Sequence, residues 1–169
     1  SSDVCSSDLD IADKKQVAIK LMNLTDPAVA RKFSREVRRF SAVKHPQIPA
    51  VVDQFVLEST HHFMVSEFVD GVSFQDLLGQ YNNLPSELVI SALNSLSHPL
   101  SYLHEKGLIH GNIKPANIRM APSGEFYLVD YGFTGLDLPP ADTRLSAPEM
   151  QAHNEFDFKA DIYSLGATL

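Results

Sequence analysis

The stretch from His110 to Gly132, HGNIKPANIRMAPSGEFYLVDYG, constrains this chain more than any other. It sets four polar side chains, His110, Asn112, Lys114 and Asn117, just before a short apolar hairpin that ends in Asp130-Tyr131-Gly132. Residues 118–120 and 126–129 read as strands, because both are short apolar runs and Pro122, Ser123 and Gly124 supply the turn between them. A hairpin this short returns Asp130 towards Asn117 at its open end. Two oxygen-bearing side chains at adjacent strand ends, with a lysine beside them, have the chemistry to hold a divalent cation and a phosphate. A polar loop feeding an ordinary hairpin explains any one of these residues; the ordered set points to a site.

The rest of the chain divides by its apolar periods. Residues 16–22 alternate apolar and polar around Lys20, as a half-buried strand does. Asp26 then caps a helix with Pro27 in its first position, and Val29, Phe33, Val37 and Phe40 mark its buried stripe through about residue 43. Glu36 lies beside that stripe, sixteen positions after Lys20, which leaves room for a Lys20–Glu36 ion pair. The alternative is an exposed glutamate among arginines. His45-Pro46 stops the helix, and residues 50–57 and 62–69 form a hairpin. His61 and His62 are adjacent, so a strand points them to opposite faces and they make no metal site. Helices are expected at 73–81 and, after Pro85, at 86–106, with Gly107 as its cap. Leu88, Ala92, Leu96, Leu100 and Leu103 form the stripe of the longer one, while Pro99 removes a hydrogen bond and bends it, a local cost of about 3 kcal/mol. His98 and His104 read as structural. Residues 130–149 read as a loop containing Pro139-Pro140, and a further helix begins near Asp161.

Charge and cysteine usage exclude several classes of function. A net charge of -7 argues against nucleic acid as a partner. The basic run at 31–39 is interleaved with apolar residues at helical spacing and reads as a solvated face. One cysteine, Cys5, allows no internal disulfide and fits a reducing compartment, so a cytoplasmic location is expected. No apolar run is long enough to span a bilayer, and the start of the chain has no apolar leader segment.

HGNIKPANI followed by DYG resembles the catalytic loop and metal-binding motif of eukaryotic-type (Hanks-type) Ser/Thr protein kinases, H-R-D-x-K-x-x-N and D-F-G. Three further features match in order: Val17-Ala18-Ile19-Lys20 as V-A-I-K, Ala147-Pro148-Glu149 as A-P-E, and Asp161-Ile162-Tyr163-Ser164-Leu165-Gly166 as the buried helix that holds the catalytic loop. The wording of several loops is bacterial in style. The resemblance implies an α+β, two-lobed protein-kinase-like fold, incomplete at both ends, with ATP and Mg2+ as cofactors and a protein as substrate or partner. It places the small antiparallel-sheet lobe with its helix at 10–69 and a partial helical lobe at 70–169. Residues 1–9 resemble a translated sequencing adapter and are set aside as non-native, so the small lobe is expected to lack its first strand and glycine-rich loop. Lys20 and Glu36 are implied for the α- and β-phosphates, Ala18, Ser66, Glu67 and Val69 for the adenine site, and Asn117 and Asp130 for the metal. Lys114 is implied for the γ-phosphate, and His110 and Asn112 complete the catalytic loop.

The departures from the family pattern bear on chemistry. Asn112 stands where the family carries the aspartate base, and an amide accepts no proton near neutral pH. A positioned base is worth roughly 10²- to 10⁴-fold in rate. Gly111 replaces the arginine that gathers a phosphorylated activation loop, although Thr134 and Thr143 remain as acceptors. Two readings stay open. The chain is part of an ATP- and Mg2+-dependent Ser/Thr kinase, or of a pseudokinase that binds nucleotide or partners with little transfer.

Overall fold

The computed structural model describes residues 4–10, 15–81, 83–133, 136, 144–153 and 157–169. They fall into two compact units, 1–44 with 49–68, and 45–48 with 69–169.

The first unit is a four-stranded antiparallel sheet with one helix. Its strands are β1 (Val4–Asp10), β2 (Lys15–Asn23), β3 (Val51–Leu57) and β4 (His61–Glu67), in the order β1-β2-β4-β3. Residues 1–9 were expected to take no part in the fold, and β1 corrects this: Val4 lies opposite Leu21 and Asp10 opposite Lys15. The reason lies in the main chain. The side of β2 away from β4 offers a row of N–H and C=O groups, and a strand that closes such an edge needs little from its side chains. Helix α1 (Pro27–Ser41) starts where the cap predicts, with Asp26 Oδ1 accepting from the Ala28 N–H at 2.7 Å. Phe33, Val37 and Phe40 are buried along one face, and α1 packs on β3. Strand β4 ends at Glu67, short of residue 69, and Glu67 is tied to Ala50 through its N–H and its side chain. The Glu67 N–H donates to Ala50 O at 2.9 Å, and the Glu67 carboxylate accepts from the Ala50 N–H at 3.0 Å. The turn between β3 and β4 places Glu58 and Ser59 in left-handed conformations, and Phe55 stacks on Phe63 with ring centroids 4.7 Å apart.

The second unit contains β5 (Val72–Ser73), α2 (Phe74–Gln80), α3 (Ser86–Glu105), a 3-10 turn at Pro115–Asn117, β6 (Ile118–Met120), β7 (Phe126–Leu128), α4 (Pro148–His153) and α5 (Phe158–Thr168). The expected hairpin is β6–β7, and β5 adds to it as a third strand with Val72 opposite Met120. Two residues carry no readable period, so β5 had no sequence signal. Helix α2 opens on a capping box: Ser73 Oγ accepts from the Asp76 N–H, and Asp76 Oδ2 accepts from the Ser73 N–H, each at 3.1 Å. Hydrogen bonds from Ser73 hold the Asp76 carboxyl below its usual range. Helix α3 runs unbroken through Pro99, which is buried, and stops at Gly107, where φ is +68°. Its stripe, Ala92, Leu96 and Leu100, joins Phe74, Leu77, Ile113, Ile118, Phe126, Leu128 and Leu165 in one core. Residues 45–48 fasten to this unit through Gln47, whose Nε2 donates to Phe126 O at 3.0 Å and whose O accepts from the Leu128 N–H at 3.2 Å. Helix α5 begins three residues before Asp161, because Asp157 is its cap and accepts from the Ala160 N–H at 3.0 Å. The Pro139-Pro140 pair and the acceptors Thr134 and Thr143 lie outside the described residues.

Candidate functional site

The loop from His110 to Asn117 is held from beneath by one buried carboxylate. Asp161 is 1% exposed; its Oδ2 accepts from the His110 N–H at 2.8 Å and its Oδ1 from the Gly111 N–H at 2.8 Å. The His104 ring adds a third contact, Nε2 to Asp161 Oδ2 at 2.9 Å. His104 thus has the structural role read from sequence, although its partner lies 57 residues away and nothing local names it. Gly111, where the family has arginine, sits at φ +67°, a conformation in which glycine is the least strained residue.

His110 is fully buried, with its ring edge-on to Tyr131 at 5.6 Å. Its Nδ1 accepts from the Asn112 N–H at 3.3 Å, and its carbonyl accepts from the Gly132 N–H at 2.8 Å. Placed with the catalytic residues in the sequence reading, it is by geometry a positioning residue, since a ring with no solvent exposure holds backbone and does not meet substrate.

The expected meeting of Asn117 and Asp130 occurs, and Asn112 links them. Val129 N–H donates to Asn117 O at 3.0 Å, closing the open end of the hairpin. Asn117 Nδ2 donates to the Asn112 carbonyl at 2.8 Å. Asn112 Nδ2 in turn donates to both the Asp130 carbonyl and Asp130 Oδ2, each at 2.9 Å. Because a carboxylate only accepts, this pair fixes which end of the Asn112 amide faces it. Position 112 therefore supplies a donor where the family supplies a base. Asp130 adopts φ +61°, a left-handed conformation that aspartate tolerates better than most residues. Lys114 is half-buried, and among the described residues its ammonium has no hydrogen-bond or ion-pair partner.

Gly132 has no room for a side chain: a Cβ there would lie 2.6 Å from Gly111 O and 2.8 Å from Gly111 C. Backbone must move to admit it. Gly132→Ala is expected to lower stability by about 1–3 kcal/mol in denaturant titration. An unchanged midpoint and slope would show that the approach of the two loops is not needed.

In the first unit, Lys20 and Glu36 are both buried, 3% and 6% exposed. The contacts of the Glu36 carboxylate are with its own helix, Arg39 Nη1 at 3.0 and 3.1 Å and Arg35 Nε at 4.0 Å. Among the described residues the expected Lys20–Glu36 pair is not one of these contacts. An arginine three residues on reaches the same helix face without leaving it, whereas Lys20 must reach from another element. Ala18 lies opposite Ser66 in the β2–β4 register, and Glu67 ends β4. Val69 belongs to the second unit and is half-buried. Arg119 Nη1 donates to Gly71 O at 2.9 Å, which tethers the entry to β5. His62 is buried and His61 is half-exposed, so the two differ in surroundings as expected.

The donor set suits a hard cation held jointly with phosphate. Asn117 uses its Nδ2 on Asn112 and keeps an amide oxygen as its remaining acceptor; Asp130 adds a carboxylate. Among the described residues no group of three or more His, Cys, Asp or Glu is arranged to hold a metal alone. Mg2+ fits such a site, since it is commonly bound by one or two side chains together with substrate phosphates.

A family model described as the protein kinase domain matches residues 2–169. The chain is 27% identical over 176 residues to serine/threonine-protein kinase PknB of Mycobacterium leprae, covering 95% of this chain and 28% of that protein. It is 31% identical over 170 residues to serine/threonine-protein kinase pkn2 of Myxococcus xanthus, covering 90% of this chain and 20% of that one. Its span is thus between 20% and 28% of the length of these relatives. No helix among the described residues is long and apolar enough to cross a membrane.

Proposed function

The chain belongs to the protein kinase family, as a partial Hanks-type Ser/Thr kinase domain, and from that premise we propose that it binds ATP with Mg2+ and transfers the γ-phosphate to a protein Ser or Thr at a low rate. The observation that carries both halves is the Asn117–Asn112–Asp130 chain of hydrogen bonds: the acceptors suited to a metal are in place, and the position of the base holds an amide donor. Asn117 and Asp130 are the residues proposed for Mg2+, Lys114 for the γ-phosphate and Lys20 for the α- and β-phosphates. Ala18, Ser66, Glu67 and Val69 are proposed for adenine. Mg2+, when bound, neutralises charge on the phosphates. Asn112 orients a substrate hydroxyl at most, because its amide takes no proton.

A second reading, a pseudokinase that uses nucleotide binding for scaffolding, is favoured by the same Asn112 contact. A donor engaged with Asp130 is unavailable to an incoming hydroxyl.

Nucleotide-dependent thermal stabilisation of the full-length protein tests the binding half. At a hundredfold excess over Kd, ATP with Mg2+ is expected to add about 2.7 kcal/mol, and Asp130→Ala is expected to abolish the shift. A wild-type protein indifferent to ATP with and without Mg2+ would overturn the proposal.

A further inference from the structure

The second unit is strongly acidic: residues 45–48 and 69–169 carry five lysines and arginines against twelve aspartates and glutamates. Two of those five cations nevertheless line one cavity. It has a volume of about 270 Å3 and is lined by Gln75, Lys114, Pro115, Ala116, Arg144 and Leu145, with no carboxylate among them. Lys114, Pro115 and Ala116 belong to the loop that carries Asn112. Arg144 and Leu145 come from the segment just before Ala147-Pro148-Glu149, so the sequence separates the two cations by thirty residues. The Lys114 ammonium and the Gln75 amide make no hydrogen bond among the described residues.

We infer that this cavity receives an acidic side chain, Asp or Glu, from a protein substrate, close to the residue that is phosphorylated. The inference rests on the proposed transfer to protein and deepens it by naming a substrate class. Two cations that converge in an otherwise acidic unit create a local positive potential, and the net negative charge of the rest of the unit disfavours acidic segments elsewhere. The same geometry disfavours basic segments, because a lysine or arginine in the cavity meets like charges. Gln75 supplies both an N–H donor and a C=O acceptor, so the selection comes from Arg144, while Lys114, proposed for the γ-phosphate, adds only its charge to the local potential. Arg144 is exposed, which keeps the contact at the rim and makes it sensitive to salt.

The test uses the full-length protein and three labelled peptides that share one Ser/Thr acceptor, flanked by Asp/Glu, by Ala or by Lys/Arg. Fluorescence anisotropy reads binding at low and high salt. The acidic peptide is expected to bind roughly fivefold tighter than the alanine one, the worth of a half-exposed ion pair or two, and to lose that advantage at high salt. Arg144→Glu is expected to erase the preference and Arg144→Lys to keep it, with the ATP-induced thermal shift unchanged in both. Equal binding of all three peptides, or an acidic preference that survives Arg144→Glu, overturns the inference. If ATP fails to stabilise the wild type while the acidic preference stands, the proposed function falls and the cavity assignment remains.

Discussion

Asn112→Asp is expected to raise phosphate transfer to a protein substrate by roughly 10²- to 10⁴-fold, the range a positioned base contributes. The same change is expected to weaken the nucleotide-free protein. Asn112 Nδ2 now donates to Asp130 Oδ2 and to the Asp130 carbonyl, both at 2.9 Å. An aspartate there removes both donors and sets a second carboxylate against the first. The lost hydrogen bond to a charged acceptor alone costs about 1.5–3 kcal/mol. The variant should therefore melt earlier without ligand, and Mg2+ with ATP should restore more stability to it than to the wild type, because a cation relieves the repulsion. Paired measurements of rate and of melting temperature with and without Mg2+ check this. Equal transfer rates in the two proteins would refute the account of Asn112 as a missing base, and equal ligand-free melting would refute its account as a donor.

Asp161→Ala is expected to be the most destabilising single change in the second unit, at about 3–5 kcal/mol. Three groups lose their acceptor at once: the N–H groups of His110 and Gly111, both at 2.8 Å, and the His104 ring at 2.9 Å. The His110 side is buried, so water does not replace what is lost. Domains are stable by only about 5–15 kcal/mol, so much of the margin disappears. His104→Ala should cost less, since that side chain is 16% exposed and only one of the three contacts goes with it. Denaturant titration of the two variants provides the comparison. A loss under 1 kcal/mol for Asp161→Ala would mean that the loop carrying Asn112 is held by something else.

Elements set by local chemistry were legible in the sequence. Asp26-Pro27 named the start of α1, and the apolar stripe from Ala92 to Leu103 named the buried face of α3. The turn at Pro122–Gly124 set the β6–β7 pairing, which in turn brought Asn117 beside Asp130. Tyr131, where the family motif has phenylalanine, is buried against His110. Asp161 is legible as the support of the catalytic loop from its place in a motif, but the three groups it accepts from are visible only in the fold. β1 carries no such local signal, since pairing along an open sheet edge asks mainly for backbone.

The sequence by itself determined the family, the longer helices and the central hairpin, and the residue types of the candidate site, because caps, turns and periods act within a few residues of their own position. Only the tertiary structure decided who bonds to whom. It paired Glu36 with Arg39 on its own helix, turned the Asn112 amide onto a carboxylate 18 residues away, and brought Arg144 to the cavity of Lys114. Such partners are chosen by packing among groups that are remote along the chain, and no spacing within one segment records that choice.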